Sequence, residues 1–116
     1  MLFSVYYQTR ENGDYLREVV NASGVGQLKN VEALTGLPAE PEADVVLLEY
    51  EGNNTQLDHW IARTSAGAKR PEIFLYVKEI SPRILWQALR LGARECFAWV
   101  IEGKDLREAV RRVGAA

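Results

Sequence analysis

The stretch Ala43-Asp44-Val45-Val46-Leu47-Leu48-Glu49-Tyr50 constrains the fold more than any other, because from Asp44 to Tyr50 it is an almost continuous apolar run. So short a run without alternation predicts a strand covered on both faces, as in the centre of a parallel sheet. Around it, short apolar segments alternate with stretches of helical period, the pattern of βαβ units, so the class is α/β. Leu2 to Tyr7 reads as a first strand and Asn12 to Asn21 as a helix with Tyr15, Leu16, Val19 and Val20 on one face. Gln27 to Val31 is a second strand. The stretch from Glu32 to Glu42 contains Gly36, Pro38 and Pro41 and holds at most a short helix.

Downstream the punctuation is firmer. A helix runs from about Thr55 to Ser65, and Ile73 to Val77 is a fourth strand. Ser81 is an N-cap with Pro82 at the first helical position, and that helix stops at Gly92. Glu95 to Val100 is the fifth strand and Asp105 to Val113 the last helix. Strands and helices in this order predict a flavodoxin-like, doubly wound, five-stranded parallel sheet of order 2-1-3-4-5 with a short or degenerate second helix. Its functional crevice lies at the carboxyl ends of strands 1 and 3.

A length of 116 residues suits one domain spanning 1–116, and 47% hydrophobic with 26% charged residues excludes disorder and a membrane span. The net charge of -2 removes the electrostatic case for nucleic acid. The start Met1-Leu2-Phe3-Ser4 lacks a signal-peptide pattern, so a cytoplasmic protein without membrane insertion is expected. Cys96, the single cysteine, has no thiol partner and reads as a small buried hydrophobe. His59 faces away from the stripe of Leu57, Trp60, Ile61 and Thr64 and reads as solvated.

Chemistry has few candidates. Gln8-Thr9-Arg10-Glu11-Asn12-Gly13 matches no phosphate-cradling loop, and no serine sits in a nucleophile motif. No enzyme activity, catalytic residue, metal or cofactor is expected. Lys78, just past the fourth strand, is placed to approach Glu49 or Glu51, and an ion pair with Glu49 is expected, since a buried carboxylate without a partner is costly.

Contact is better supported. Between Ser81 and Gly92, Arg83, Gln87 and Arg90 form a narrow polar strip, while Ile84, Leu85, Trp86, Ala88, Leu89 and Leu91 cover an arc of roughly 220° at about 100° per residue. One sheet face needs about half of that, so Leu85, Trp86 and Leu89 are an expected interface. Arg107 and Arg111 of the last helix would form its charged rim. A homodimer through this helix and the last helix is expected.

The residues resemble the receiver family, the CheY-like domains of response regulators. Asp44-Val45-Val46-Leu47-Leu48-Glu49 is similar to the family's third strand and Pro71-Glu72-Ile73-Phe74-Leu75-Tyr76 to its fourth. Ala88-Leu89-Arg90-Leu91-Gly92-Ala93-Arg94-Glu95 is similar to its fourth helix and Gly-Ala exit. The resemblance implies a degenerate site: Glu49 at the phosphoacceptor position, Tyr6 and Tyr7 at the acidic pair that holds Mg²⁺, Tyr76 at the switch hydroxyl, and Trp99 at the lysine. Without those charges nothing would stabilise a transferring phosphoryl group. Tyr6, Tyr7, Tyr76 and Trp99 would fill the vacated pocket, and Glu49 could imitate an activated state.

Among pseudo-receivers the chain is similar to the amino-terminal domain of CpaE/TadZ-type proteins. In that family such a domain precedes a ParA/MinD-like ATPase that places the machinery for Flp-type pili. The resemblance implies an attached or separate effector, and Val113-Gly114-Ala115-Ala116 resembles the start of a linker. A divergent receiver in a phosphorelay, or one with a DNA-binding output domain, remains the alternative.

Overall fold

A computed structural model describes residues 1–67 and 71–114 of the chain. Its strands are β1 (Leu2–Tyr7), β2 (Gln27–Ala33), β3 (Val45–Glu49), β4 (Glu72–Val77) and β5 (Glu95–Ala98), and its α-helices are α1 (Arg10–Ser23), α2 (Thr55–Ser65), α3 (Pro82–Leu91) and α4 (Gly103–Gly114). All pairings are parallel, in the order β2-β1-β3-β4-β5. The flavodoxin-like reading therefore holds, and the degenerate second helix is a single 3-10 turn at Leu34–Gly36.

β3 is buried along its whole length, as its unbroken apolar run requires. Alternation along each strand divides the core in two. Val5, Leu47 and Phe74 meet Leu16 and Leu106 beneath α1 and α4. Leu48, Ile73 and Leu75 meet Ile61 and Ile84 beneath α2 and α3. The segment that replaces the second helix is tied down by the Trp60 indole, whose N–H donates to the Pro38 carbonyl at 2.7 Å.

Caps explain the element ends. α1 starts earlier than the apolar period suggests because the Thr9 hydroxyl accepts from the Asn12 N–H. Ser81 caps α3 as expected, and Gly92, at φ 91°, ends it in the left-handed region. β5 stops at Ala98 rather than Val100: Trp99 and Val100 leave the sheet and are exposed.

Candidate functional site

β1 and β3 are neighbours in register Tyr6↔Leu48, so the turn into α1 begins beside the end of β3. Glu49 projects there and is 7% exposed. Its Oε1 accepts from the Gln8 N–H at 2.8 Å and the Thr9 N–H at 3.3 Å, and its Oε2 from the Asn12 side-chain amide at 2.9 Å. The carboxylate thus lies at the amino end of α1, where free N–H groups and the helix dipole favour negative charge.

This arrangement corrects the expected pairing with Lys78. The ion pairs among the described residues are Lys29–Glu42 and Arg112–Glu95, and Lys78 is exposed past the end of β4. N–H donors already satisfy both Glu49 oxygens, and a hydrated lysine gains little by reaching inward.

Nor do the aromatic side chains fill one pocket. Successive strand residues face opposite ways, so Tyr6 joins the core under α2 and α3, where its hydroxyl accepts from Asn30 at 3.2 Å. Tyr7 lies on the α1 side, its ring so close over Gly13 that a Cβ there would overlap it. Tyr76 is opposite Glu49 in the β3–β4 register and stacks obliquely on Tyr15, ring centroids 5.9 Å apart. Its hydroxyl pKa is pushed up to about 12, chiefly by burial and then by Tyr15 and Glu49. Trp99 is 63% exposed and fills nothing, because the chain has left the sheet one residue before it.

Two polar constellations had no warning in residue type. The Tyr15 hydroxyl donates to the Ile101 carbonyl at 2.7 Å and accepts from its N–H at 2.9 Å, fixing the turn between β5 and α4. On the other face the Tyr50 hydroxyl donates to Asp58 Oδ1 at 2.7 Å, and the Gln87 amide donates to Asp58 Oδ2 at 2.7 Å. Burial first, and then Asp58, raises the Tyr50 hydroxyl pKa well above the ordinary tyrosine value. Spacing held a partial signal for the Glu49 site: Thr9 and Asn12 stand as N-cap and third helical residue.

The arc on α3 is as expected. Ile84 and Ala88 are buried, Leu85 is exposed, and Trp86 and Leu89 are 66% and 70% exposed. A hollow of about 260 Å³ between α3 and β5 is lined by Leu85, Ala88, Leu89 and Cys96 among others, and one of about 300 Å³ continues from Cys96 toward α4. Arg107 and Arg111 are exposed on α4. Cys96 is half-buried on the edge strand, not fully enclosed, and that burial raises its thiol pKa. His59 is exposed.

Neither a protein-family model nor a curated protein sequence matches the chain. Solved structures do. A protein named as a CpaE pilus-assembly protein, from Burkholderia thailandensis, superposes with a TM-score of 0.82 at 17% identity, covering 100% of this chain and 99% of that one. The signal receiver domain of the response regulator NarL from Mycobacterium tuberculosis gives 0.77 at 16% identity, covering 99% and 96%. The fold is that of a receiver domain. A pilus-assembly-related protein of Burkholderia pseudomallei shares it, with a TM-score of 0.81 at 18% identity over 99% of this chain and 90% of that one. At such identities the likeness concerns the fold. Within the receiver fold, Glu49 ends the third strand in the crevice predicted from strand order, held by three N–H donors. No helix among the described residues is long and apolar enough to cross a membrane.

Proposed function

We propose that the chain is a receiver-fold interaction module that takes no phosphoryl group, pairs with a second copy through α3, β5 and α4, and positions an attached or separate effector. The reading places it in the cytoplasm, with no catalytic role. The observation that carries it is the exposed row of Leu85, Trp86 and Leu89 on α3, next to an edge strand that continues the same surface. Exposed apolar patches mark contact sites, and a self-complementary surface flanked by Arg107 and Arg111 suits a two-fold pair. Both Glu49 oxygens are engaged by N–H donors, and Tyr6 and Tyr7 supply no carboxylate for Mg²⁺, which supports a silent phosphorylation site. Pilus assembly is the proposed setting because the two Burkholderia structures described above carry that name.

Equilibrium sedimentation tests the pairing. Wild type should form a dimer that Leu85→Glu, Leu89→Glu abolishes; monomer in both sinks the proposal. Incubation with acetyl phosphate and Mg²⁺ tests the silent site. A mass gain that disappears in Glu49→Gln would turn the reading to a phosphorylatable receiver.

A further inference from the structure

α3 has two unlike flanks. A turn of about 100° per residue puts Leu85 and Leu89 toward β5 and Arg83, Gln87 and Arg90 toward α2, with Trp86 on the crest between them. The β5 flank belongs to the proposed pairing surface. The α2 flank forms one wall of a separate groove of about 520 Å³, lined by Asp58, Arg83, Trp86, Gln87, Arg90 and Leu91.

The charges in this groove are unequal in availability. Asp58 is its one acidic lining residue, and its two oxygens are occupied by Tyr50 and Gln87. Arg83 and Arg90 are exposed, and neither belongs to an ion pair among the described residues. They lie seven residues apart, about 10 Å along the helix, with the exposed indole of Trp86 between them. The chain as a whole carries a net charge of -2, so this cationic strip is local. A guanidinium fork matches a carboxylate bidentately, and tryptophan beside arginine is the composition that dominates binding energy at interfaces. Gln87, held by Asp58 and within 3.5 Å of the Gly52 carbonyl, gives the groove a fixed floor.

We infer that the α2–α3 groove docks an acidic segment of a partner protein, its carboxylates on Arg83 and Arg90 and an apolar side chain against Trp86 and Leu91. An extended segment rises about 3.3 Å per residue, so its two acidic residues stand three apart. The groove and the pairing surface lie on opposite flanks of α3 and share only Trp86 on the crest, so substitutions at Leu85 and Leu89 test pairing apart from Arg83 and Arg90.

The probe is a fluorescein-labelled peptide of four Asp-Leu-Ser-Glu repeats, titrated with the full chain by fluorescence anisotropy. Its Asn-Leu-Ser-Gln counterpart and a labelled oligothymidine of equal charge are the comparison arms. Wild type should bind the acidic peptide saturably, and Arg83→Gln, Arg90→Gln should bind about tenfold or more weakly. Leu85→Gln, Leu89→Gln should stay within about twofold of wild type even where its pairing is lost, which separates failure of this site from failure of the dimer. In nitrogen-resolved NMR the Trp86 indole resonance should move on titration and the buried Trp60 indole should not. Absence of saturable binding overturns the inference, as does binding indifferent to the two arginines. Equal, arginine-dependent affinity for oligothymidine also overturns it and reassigns the groove to nucleic acid.

Discussion

At the carboxyl end of β3 a buried carboxylate has a donor for each oxygen, whereas α3 leaves Leu85, Trp86 and Leu89 in water with nothing against them. The first region is closed: its polar groups are spent on one another, and they hold the turn from β1 to the end of β3. The second region is open, since Leu85, Trp86 and Leu89 stay exposed once Ile84 and Ala88 have covered the core. A site whose groups are satisfied internally stabilises, whereas exposed apolar area beside arginines that form no ion pair among the described residues is the kind of surface that marks contact.

The comparison breaks hardest at Glu49. Glu49→Ala leaves the N–H groups of Gln8, Thr9 and Asn12 without their acceptor and should cost about 2 kcal/mol in urea unfolding, by the cost of stranded, partly buried donors. A loss below about 0.5 kcal/mol would show that the carboxylate is not what holds that turn. Gly13→Ala comes next, because a methyl group there meets the Tyr7 ring. About 2 kcal/mol should be lost, the usual cost of overpacking, and Tyr7→Ala in the same chain should restore most of the lost fit.

The pH dependence sharpens the closed side further. The Tyr76 hydroxyl keeps its proton up to about pH 12 in the folded chain, whereas an unfolded tyrosine releases it near pH 10. The unfolded state therefore loses protons first, so stability is complete below pH 10 and falls as pH rises from 10 toward 12. Tyr76→Phe should flatten that fall by about 2 kcal/mol in unfolding free energies measured with denaturant at pH 9 and 11.5, leaving the share due to Tyr50. The smallest effect on folding belongs to the open side. Leu85→Glu, Leu89→Glu should change monomer stability by no more than about 0.5 kcal/mol, as exposed positions do, while abolishing pairing.

The sequence carried the fold because the fold is written in side-chain polarity. The apolar run from Val45 to Leu48 marked the central strand, Ser81-Pro82 and Gly92 bracketed α3, and Gly36 with Pro38 and Pro41 ruled out a full second helix. The site was harder to read. Glu49 was found by its position, but two of its three donors are backbone N–H groups of Gln8 and Thr9, which any residue would supply. Lys78 was expected because a cation is visible in a sequence and a turn of free amides is not. Tyr6 and Tyr7 were grouped by resemblance although strand alternation, legible in their adjacency, places them on opposite faces. The exposure of α3 was legible because helix arithmetic needs no knowledge of neighbours.

Tyr15 joins residues 86 positions apart, donating to and accepting from the same residue, Ile101. The Ile101 amide lies between β5 and α4, outside any strand or helix, where hydrogen exchange is ordinarily fast. Here its proton is held by the Tyr15 hydroxyl of α1 and is freed when α1 lifts from the sheet. In heavy water it should therefore exchange with the slow amides of β1 and β3, a clock in a loop that registers the opening of the whole domain, and Tyr15→Phe should release it alone.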